Sequence, residues 1–307
     1  MTRVAAIDIG TNSVLLVVAE QTADGVRPLV ERATITRLGQ GVDRTRQLAP
    51  EARQRTLDCL SHYAADIERA GVARLDVVGT SAMRDASGGE QFVREAERIL
   101  GRPPRVIAGS EEARLTFIGS LSGLDVDGEV IVFDVGGGST EIIVGKATRD
   151  LLPHVERERS LDIGSVRLFE RHVASDPPED AQLKRARADI VSALSDAPAA
   201  TAGARLIGVA GTVTTLAAIE QELDDYDAGL VHGARLTRDS VDALALRLAS
   251  QPLASRKMLP GLQPERADVI VTGALIVSEV MRWASAATLT VSDRGVRWGL
   301  VQQLLGC

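Results

Sequence analysis

Short runs of aliphatic and β-branched residues alternate along the chain with longer runs whose apolar positions recur every three or four residues. The first pattern predicts strands and the second amphipathic helices; their alternation predicts an α/β fold with helix-covered sheets. In the first third, "RVAAIDIG", "SVLLVVAE" and "VRPLVERATITRL" read as three consecutive strands of a meander, and "ARLDVVGT" and "PRVIAG" as two further strands with helices between and after them. "PEARQRTLDCLSHYAADIERAGV" places Leu57, Leu60, Ala64 and Ile67 at helical spacing, with Pro50 suited to the helix start and Gly71 to its stop.

After the turn-rich stretch "SLSGLDVDGE" the order begins again. "VIVFDVGGG", "STEIIVGK" and "HVERERSLDIG" read as strands, then helices and the strand "ARLIGVAG" follow. The second half therefore repeats the plan of the first, which predicts two domains, 1–122 and 123–307. Any two α/β halves share an outline, but "IDIGTNS" and "FDVGGGS" stand at the same place in each half. Both run apolar, Asp, apolar, Gly, two small or polar residues, Ser.

Composition narrows the function. With 45% hydrophobic and 25% charged residues, the chain has the balance of a soluble globular protein. A formal charge of −7 argues against a surface built for a nucleic-acid polymer, so an anionic ligand must be gripped locally. Cys59 and Cys307 form no metal or disulfide spacing, which suits a reducing compartment. The start "MTR" leads directly into a strand, and the apolar run "ADVIVTGALIV" is too short to span a bilayer. These features predict a cytoplasmic protein with no membrane partner.

The candidate chemistry lies in the two interrupted strands. A strand that ends in Asp-x-Gly and turns directly into another strand is a hairpin whose glycines can adopt positive φ and let backbone N–H groups approach an anion. One such turn is an ordinary β-turn; one in each half points to a ligand. Thr11, Asn12 and Ser13 in the first loop, and Gly136, Gly137, Gly138, Ser139 and Thr140 in the second, are candidate phosphate-binding residues. Asp8 and Asp134, at the strand ends, are candidate ligands for Mg²⁺, which is held by one or two carboxylates and water. Glu141 is the natural partner of Asp134, although an edge-strand charge facing water has the same local sequence.

Further groups belong to the same chemistry. In "AGSEEARLTF", Ser110 fits an N-cap, and Glu111 and Glu112 fall in the first helical turn, where the helix dipole favours acids. That helix closes the first half, where a carboxylate could act as general base on water attacking phosphorus. Arg84, in "GTSAMRDASG", follows a strand and could fork onto phosphate oxygens or simply pair with Asp85. Gly211 and Thr212, in "GVAGTVTTLAAIE", open a helix whose N–H groups suit another phosphate.

The stretches "AAIDIGTNS", "TSAMRDA", "GSEEARLTFIG", "VFDVGGGSTEIIVG", "GVAGTVTTLA", "RADVIVTGALI" and "VSDRGVRWGL" together resemble the exopolyphosphatase and guanosine pentaphosphate phosphohydrolase family over essentially the whole chain. The resemblance implies two actin-like (ribonuclease H-like) domains flanking an interdomain cleft, with a metal-dependent phosphohydrolase site. It implies Glu112 as catalytic base, and Asp134 and Glu141 as magnesium-site residues. It also implies a homodimer, in line with the frequency of two-fold oligomers. Longer members carry additional helical domains, so the expected form is the short one, with short polyphosphate as the expected preference.

The leading expectation is Mg²⁺-dependent release of terminal phosphate from inorganic polyphosphate. The alternative is the same chemistry on guanosine pentaphosphate, for which two Tyr, two Trp and four Phe offer no evident stacking platform. A non-catalytic alarmone or polyphosphate sensor is disfavoured by the joint presence of Glu112, Asp134 and Glu141. An ATP-dependent kinase of this fold would need an adenosine pocket.

Overall fold

The computed structural model describes residues 2–23, 25–87, 89–148 and 151–306, and the chain forms two compact units, Met1–Gly119 with Val296–Cys307 and Ser120–Gly295. In the first unit, β1 (Arg3–Ile9), β2 (Ser13–Thr22) and β3 (Gly25–Ile35) form the antiparallel meander. β4 (Arg74–Gly79) joins parallel on the other side of β1, and β5 (Arg105–Val106) parallel to β4, giving the order β3-β2-β1-β4-β5. β5 is only two residues long, directly after Pro103 and Pro104, which have no N–H for a ladder.

β1 is apolar at nearly every position because both of its faces are covered. Ala5, Ile7 and Ile9 pack with Leu60, Tyr63 and Phe92, while Val4 and Ala6 pack with Leu115, Trp298 and Leu300. The helix Pro50–Ala70 begins at Pro50 and is stopped by Gly71 at φ 63°, a left-handed conformation suited to glycine.

The last helix departs from the domain division read from the sequence, which put 123–307 in one body. Val296–Leu305 packs into the first unit, where Trp298 is fully buried and its indole Nε1 donates to Glu31 Oε1 of β3 at 3.1 Å. Gly299 permits the contact, since a Cβ there would stand 2.2 Å from the Leu115 carbonyl oxygen. The amphipathic pattern requires this helix to be covered but does not specify by which sheet.

The second unit contains β6 (Gly128–Val135), β7 (Thr140–Thr148), β8 (Leu151–Leu161), β9 (Arg205–Val209), β10 (Arg235–Thr237) and β11 (Thr288–Val291), ordered β10-β11-β9-β6-β7-β8. β6, β7 and β8 repeat the meander, and β9 runs parallel to β6 as β4 does to β1. β11 then extends the sheet parallel to β9, and β10 adds an antiparallel edge. The predicted repeat is thus present in the topology. The apolar run "ADVIVTGALIV" lies largely in the core helix Ile270–Trp283, buried at every residue from Ile270 to Met281, which explains why it is apolar all round. Among the described residues no helix is long and apolar enough to cross a membrane.

Candidate functional site

The two loops are built alike. Gly10 N–H donates to the Ser13 carbonyl at 2.9 Å and Gly136 N–H to the Ser139 carbonyl at 3.0 Å, so each hairpin closes from its glycine to its serine. A Cβ on Gly10 or on Gly136 would lie 3.1 Å from that serine oxygen, and neither glycine has positive φ. Neither position uses the left-handed backbone expected from the sequence; an added Cβ would instead sit tightly against the facing serine oxygen.

The loop carbonyls are held from behind. In the second unit the Gly136 carbonyl accepts from Ser165 N at 2.9 Å, and the Gly137 carbonyl from Val166 N at 2.9 Å and Arg167 N at 3.0 Å, all at the start of the helix Ser165–His172. In a trans peptide the N–H points opposite the C=O. The N–H groups of Gly137 and Gly138 therefore face away from that helix, in the arrangement an anion nest requires. Gly164 is part of this fit, because a Cβ on it would stand 2.4 Å from the Gly137 oxygen.

In the first unit the Asn12 carbonyl accepts from Thr36 N at 3.0 Å and Arg37 N at 2.9 Å, and the Thr11 carbonyl from Gly39 N at 2.8 Å. Thr11 Oγ1 and Ser81 Oγ are hydrogen-bonded at 2.7 Å. Ser81 opens the short helix Ser81–Asp85, which carries Arg84. Arg84 Nη1 donates to the Ile107 carbonyl at 2.9 Å and to Glu112 Oε2 at 2.7 Å. A run of contacts thus joins the first loop to Glu112. The competing partner, Asp85, has a side chain outside the described residues.

Glu111 and Glu112 are separated by the helix that carries them. Glu112 is 8% exposed and engaged by Arg84, whereas Glu111 accepts from Arg105 Nη1 at 2.9 Å in a cluster of three that also includes Asp76. The hydrogen bonds from Arg105 to Asp76, and secondarily to Glu111, hold that guanidinium firmly protonated. Ser110 does not cap this helix: the helix begins at Gly109, and Ser110 lies inside its first turn.

Asp134 and Glu141 are direct cross-strand partners on the β6–β7 hairpin, so both side chains leave the same face of the sheet. β7 is an interior strand and Glu141 is 3% exposed, accepting from Ser160 Oγ at 2.8 Å, which rules out the solvent-facing edge charge. Asp8, also buried, holds the corresponding strand end in the first unit.

The model of the Ppx/GppA phosphatase family matches residues 17–306. The chain belongs to the Ppx/GppA phosphatase family. It is 38% identical over 324 residues to exopolyphosphatase 2 of Mycobacterium tuberculosis, covering 100% of this chain and 99% of that protein. Among solved structures, an exopolyphosphatase-like protein matches with a TM-score of 0.92 at 35% identity, covering 99% of each chain. The Ppx/GppA family member of Aquifex aeolicus matches with a TM-score of 0.84 at 33% identity, covering 99% of this chain and 98% of that one. The actin-like two-domain fold implied by the sequence is therefore the fold of this phosphatase.

Each unit of the phosphatase presents oxygen donors beside its own loop. In the first unit these are Asp8 and Asn12 Oδ1, a buried oxygen without a hydrogen-bond partner; in the second they are Asp134 and Glu141, and carboxylates of this kind are the hard donors Mg²⁺ takes. Among the described residues no three His, Cys, Asp or Glu converge to cage an ion.

One expected donor of the phosphatase is otherwise engaged. The Thr140 hydroxyl is fully buried and donates to the Ile163 carbonyl at 2.7 Å, so it anchors β7 rather than offering a proton to a ligand. Thr212 is buried against Gly273, whose hypothetical Cβ would stand 2.7 Å from Thr212 Cγ2. Gly211 lies in the first turn of the helix Ala210–Glu220, just after Ala210 at φ 69°. A Cβ on Gly211 would meet the Arg266 guanidinium at 1.9 Å. Arg266 was not singled out in the sequence, although it opens the "RADVIVTGALI" stretch. Burial pulls its pKa down to about 10, which leaves it cationic at neutral pH. Cys59 is a buried free thiol, and Cys307 lies outside the described residues.

Proposed function

We propose that this phosphatase is an exopolyphosphatase that hydrolyses the terminal phosphate from inorganic polyphosphate. The observation that carries the reading is the Arg84–Glu112 pair at 2.7 Å, joined to the first loop through Ser81 and Thr11. Full-length similarity to a protein named exopolyphosphatase 2 supplies the substrate.

In the proposed reaction, a water oxygen bonds to the terminal phosphorus while a water proton passes to the Glu112 carboxylate. The bond from that phosphorus to the bridging oxygen breaks, and its electron pair leaves with the shortened chain. Arg84 holds the Glu112 carboxylate in place through its hydrogen bond and offers its guanidinium to phosphate oxygens. The N–H groups of Gly137 and Gly138, with Ser139, are the proposed anion donors of the second unit. Thr11, Asn12 and Ser13 are those of the first. Asp134 and Glu141 would hold Mg²⁺, with Asp8 as the acidic group of the first unit; the ion would supply charge neutralisation when bound.

Guanosine pentaphosphate is the competing substrate and would require a seat for guanine, which a chain of 3% aromatic residues serves poorly. Phosphate release from polyphosphate and from guanosine pentaphosphate, measured side by side with Mg²⁺, tests the reading. Preferential release from polyphosphate is expected, and release only from the nucleotide would overturn it. The proposed enzyme is cytoplasmic and homodimeric, and sedimentation velocity checks the second point.

A further inference from the structure

We infer that Arg37 is a ligand for substrate phosphate at the first loop. The starting observation is its backbone: φ is 52°, in the left-handed region that side chains rarely adopt. Four residues later the same turn uses Gly41 at φ 75°. Glycine would serve the backbone at position 37 better, so what the arginine contributes is its guanidinium. Strain of this kind is concentrated at ligand-binding positions.

A second observation ties Arg37 to the loop. Its own N–H is one of the two donors on the Asn12 carbonyl, at 2.9 Å, with Thr36 N as the other at 3.0 Å. Gly39 packs so closely on Thr11 that a Cβ would lie 2.3 Å from Thr11 Cγ2. The Arg37 backbone is therefore one hydrogen bond from the first loop and held there by its neighbours.

The second unit repeats the device, one residue out of register. There the Gly137 carbonyl accepts from Val166 N and Arg167 N, so an arginine again supplies the second backbone donor behind a phosphate loop. Arg167 Nη1 also donates to Asp162 at 2.8 Å. A planar guanidinium suits phosphate through paired N–H bonds, which an ammonium cannot reproduce.

The assignment rests on the proposed function for the identity of the anion, a phosphate unit of polyphosphate, and its test separates the two. Calorimetry with inorganic tripolyphosphate, in metal-free buffer, is run on the wild type, Arg37→Gly, Arg37→Asn and Arg37→Lys. Glycine and asparagine both tolerate positive φ, so the backbone of neither variant is strained, and thermal melts run beside the calorimetry separate loss of the anion from loss of the contact the Arg37 side chain makes within the protein. Their Kd should rise roughly ten- to a hundredfold, the worth of a hydrogen bond to a charged group, with lysine falling between. A Kd within about twofold of wild type in both Arg37→Gly and Arg37→Asn overturns the assignment. Absence of binding by the wild type overturns the assignment, while the hydrolase reading stands or falls on phosphate release with Mg²⁺. If the wild type binds the anion but releases no phosphate from polyphosphate with Mg²⁺, the hydrolase reading fails while the loss of binding in Arg37→Gly still upholds the anion ligand.

Discussion

Arg84 and Glu112 meet through Nη1 and Oε2 at 2.7 Å, with the same nitrogen on the Ile107 carbonyl at 2.9 Å. The carboxylate is 8% exposed and the arginine is only partly so. The pair lies where β4 and β5 end, beside the Ser81–Thr11 bond that reaches the first loop. This relationship separates Glu112 from its neighbour and determines how both can be tested.

Glu112→Gln should lower kcat by roughly 10²–10⁴-fold while substrate still binds, because the amide cannot take a proton from water. Glu111→Gln should retain most turnover, since that carboxylate is committed to Arg105 on the surface. Steady-state phosphate release from both variants decides the matter, and near-wild-type turnover in Glu112→Gln would refute the base.

Asp134→Asn and Glu141→Gln each remove one negative charge while keeping the side-chain volume. Both should shift the Mg²⁺ concentration needed for half-maximal activity upward by roughly tenfold or more, the expected effect of losing a hard anionic ligand. Glu141→Gln retains an oxygen that Ser160 can reach, so its fold should survive. Unaltered Mg²⁺ titrations in both variants would remove these residues from the cation site.

Gly164→Ala tests how the second loop is held. The new Cβ would stand 2.4 Å from the Gly137 oxygen and 2.6 Å from the Gly138 carbonyl carbon, so the loop backbone must move. Overpacking of this kind costs about 1–3 kcal/mol. Turnover should fall with stability, whereas Gly203→Ala, at a turn where an added Cβ meets nothing, reports only the strain of its φ of 79°. Thermal melts paired with phosphate release compare the two.

Acid sensitivity should appear in the first unit through Glu20, which accepts from Arg3 at 3.1 Å and Arg27 at 3.0 Å across three adjacent strands. The hydrogen bond from Arg3, then that from Arg27, holds its carboxyl below the ordinary value of 4.5. Its contribution is present above the unfolded pKa and lost as pH falls through the lower folded value. Glu20→Gln should therefore destabilise the protein near neutral pH, and the difference should shrink as pH falls through the lowered folded value of Glu20. Denaturation curves across that range are the check, and a pH-independent difference would exclude the linkage.

The sequence by itself determined what local chemistry can specify. Strand runs broken by Asp, Gly and Ser mark both loops, and the hairpins close from Gly10 to Ser13 and from Gly136 to Ser139 as that pattern implies. Period-two and period-3.6 patterning fixed the meanders and the ends of the helix Pro50–Ala70, since burial imposes the repeat of each element on its own residues. The doubled "IDIGTNS" and "FDVGGGS" stretches carry the repeat in the sequence itself. Tertiary structure alone decided which partners meet. That Arg84 takes Glu112, that Thr140 gives its hydroxyl to Ile163, and that Arg266 occupies the space over Gly211 all depend on residues far apart in the chain. The same holds for the helix Val296–Leu305, whose apolar side demands a cover that either sheet could supply and that the first unit provides. Hydrophobic burial is non-directional, and side-chain hydrogen bonds are chosen by geometry after the backbone is placed. Composition and spacing therefore specify the need for a partner, and the folded chain selects it.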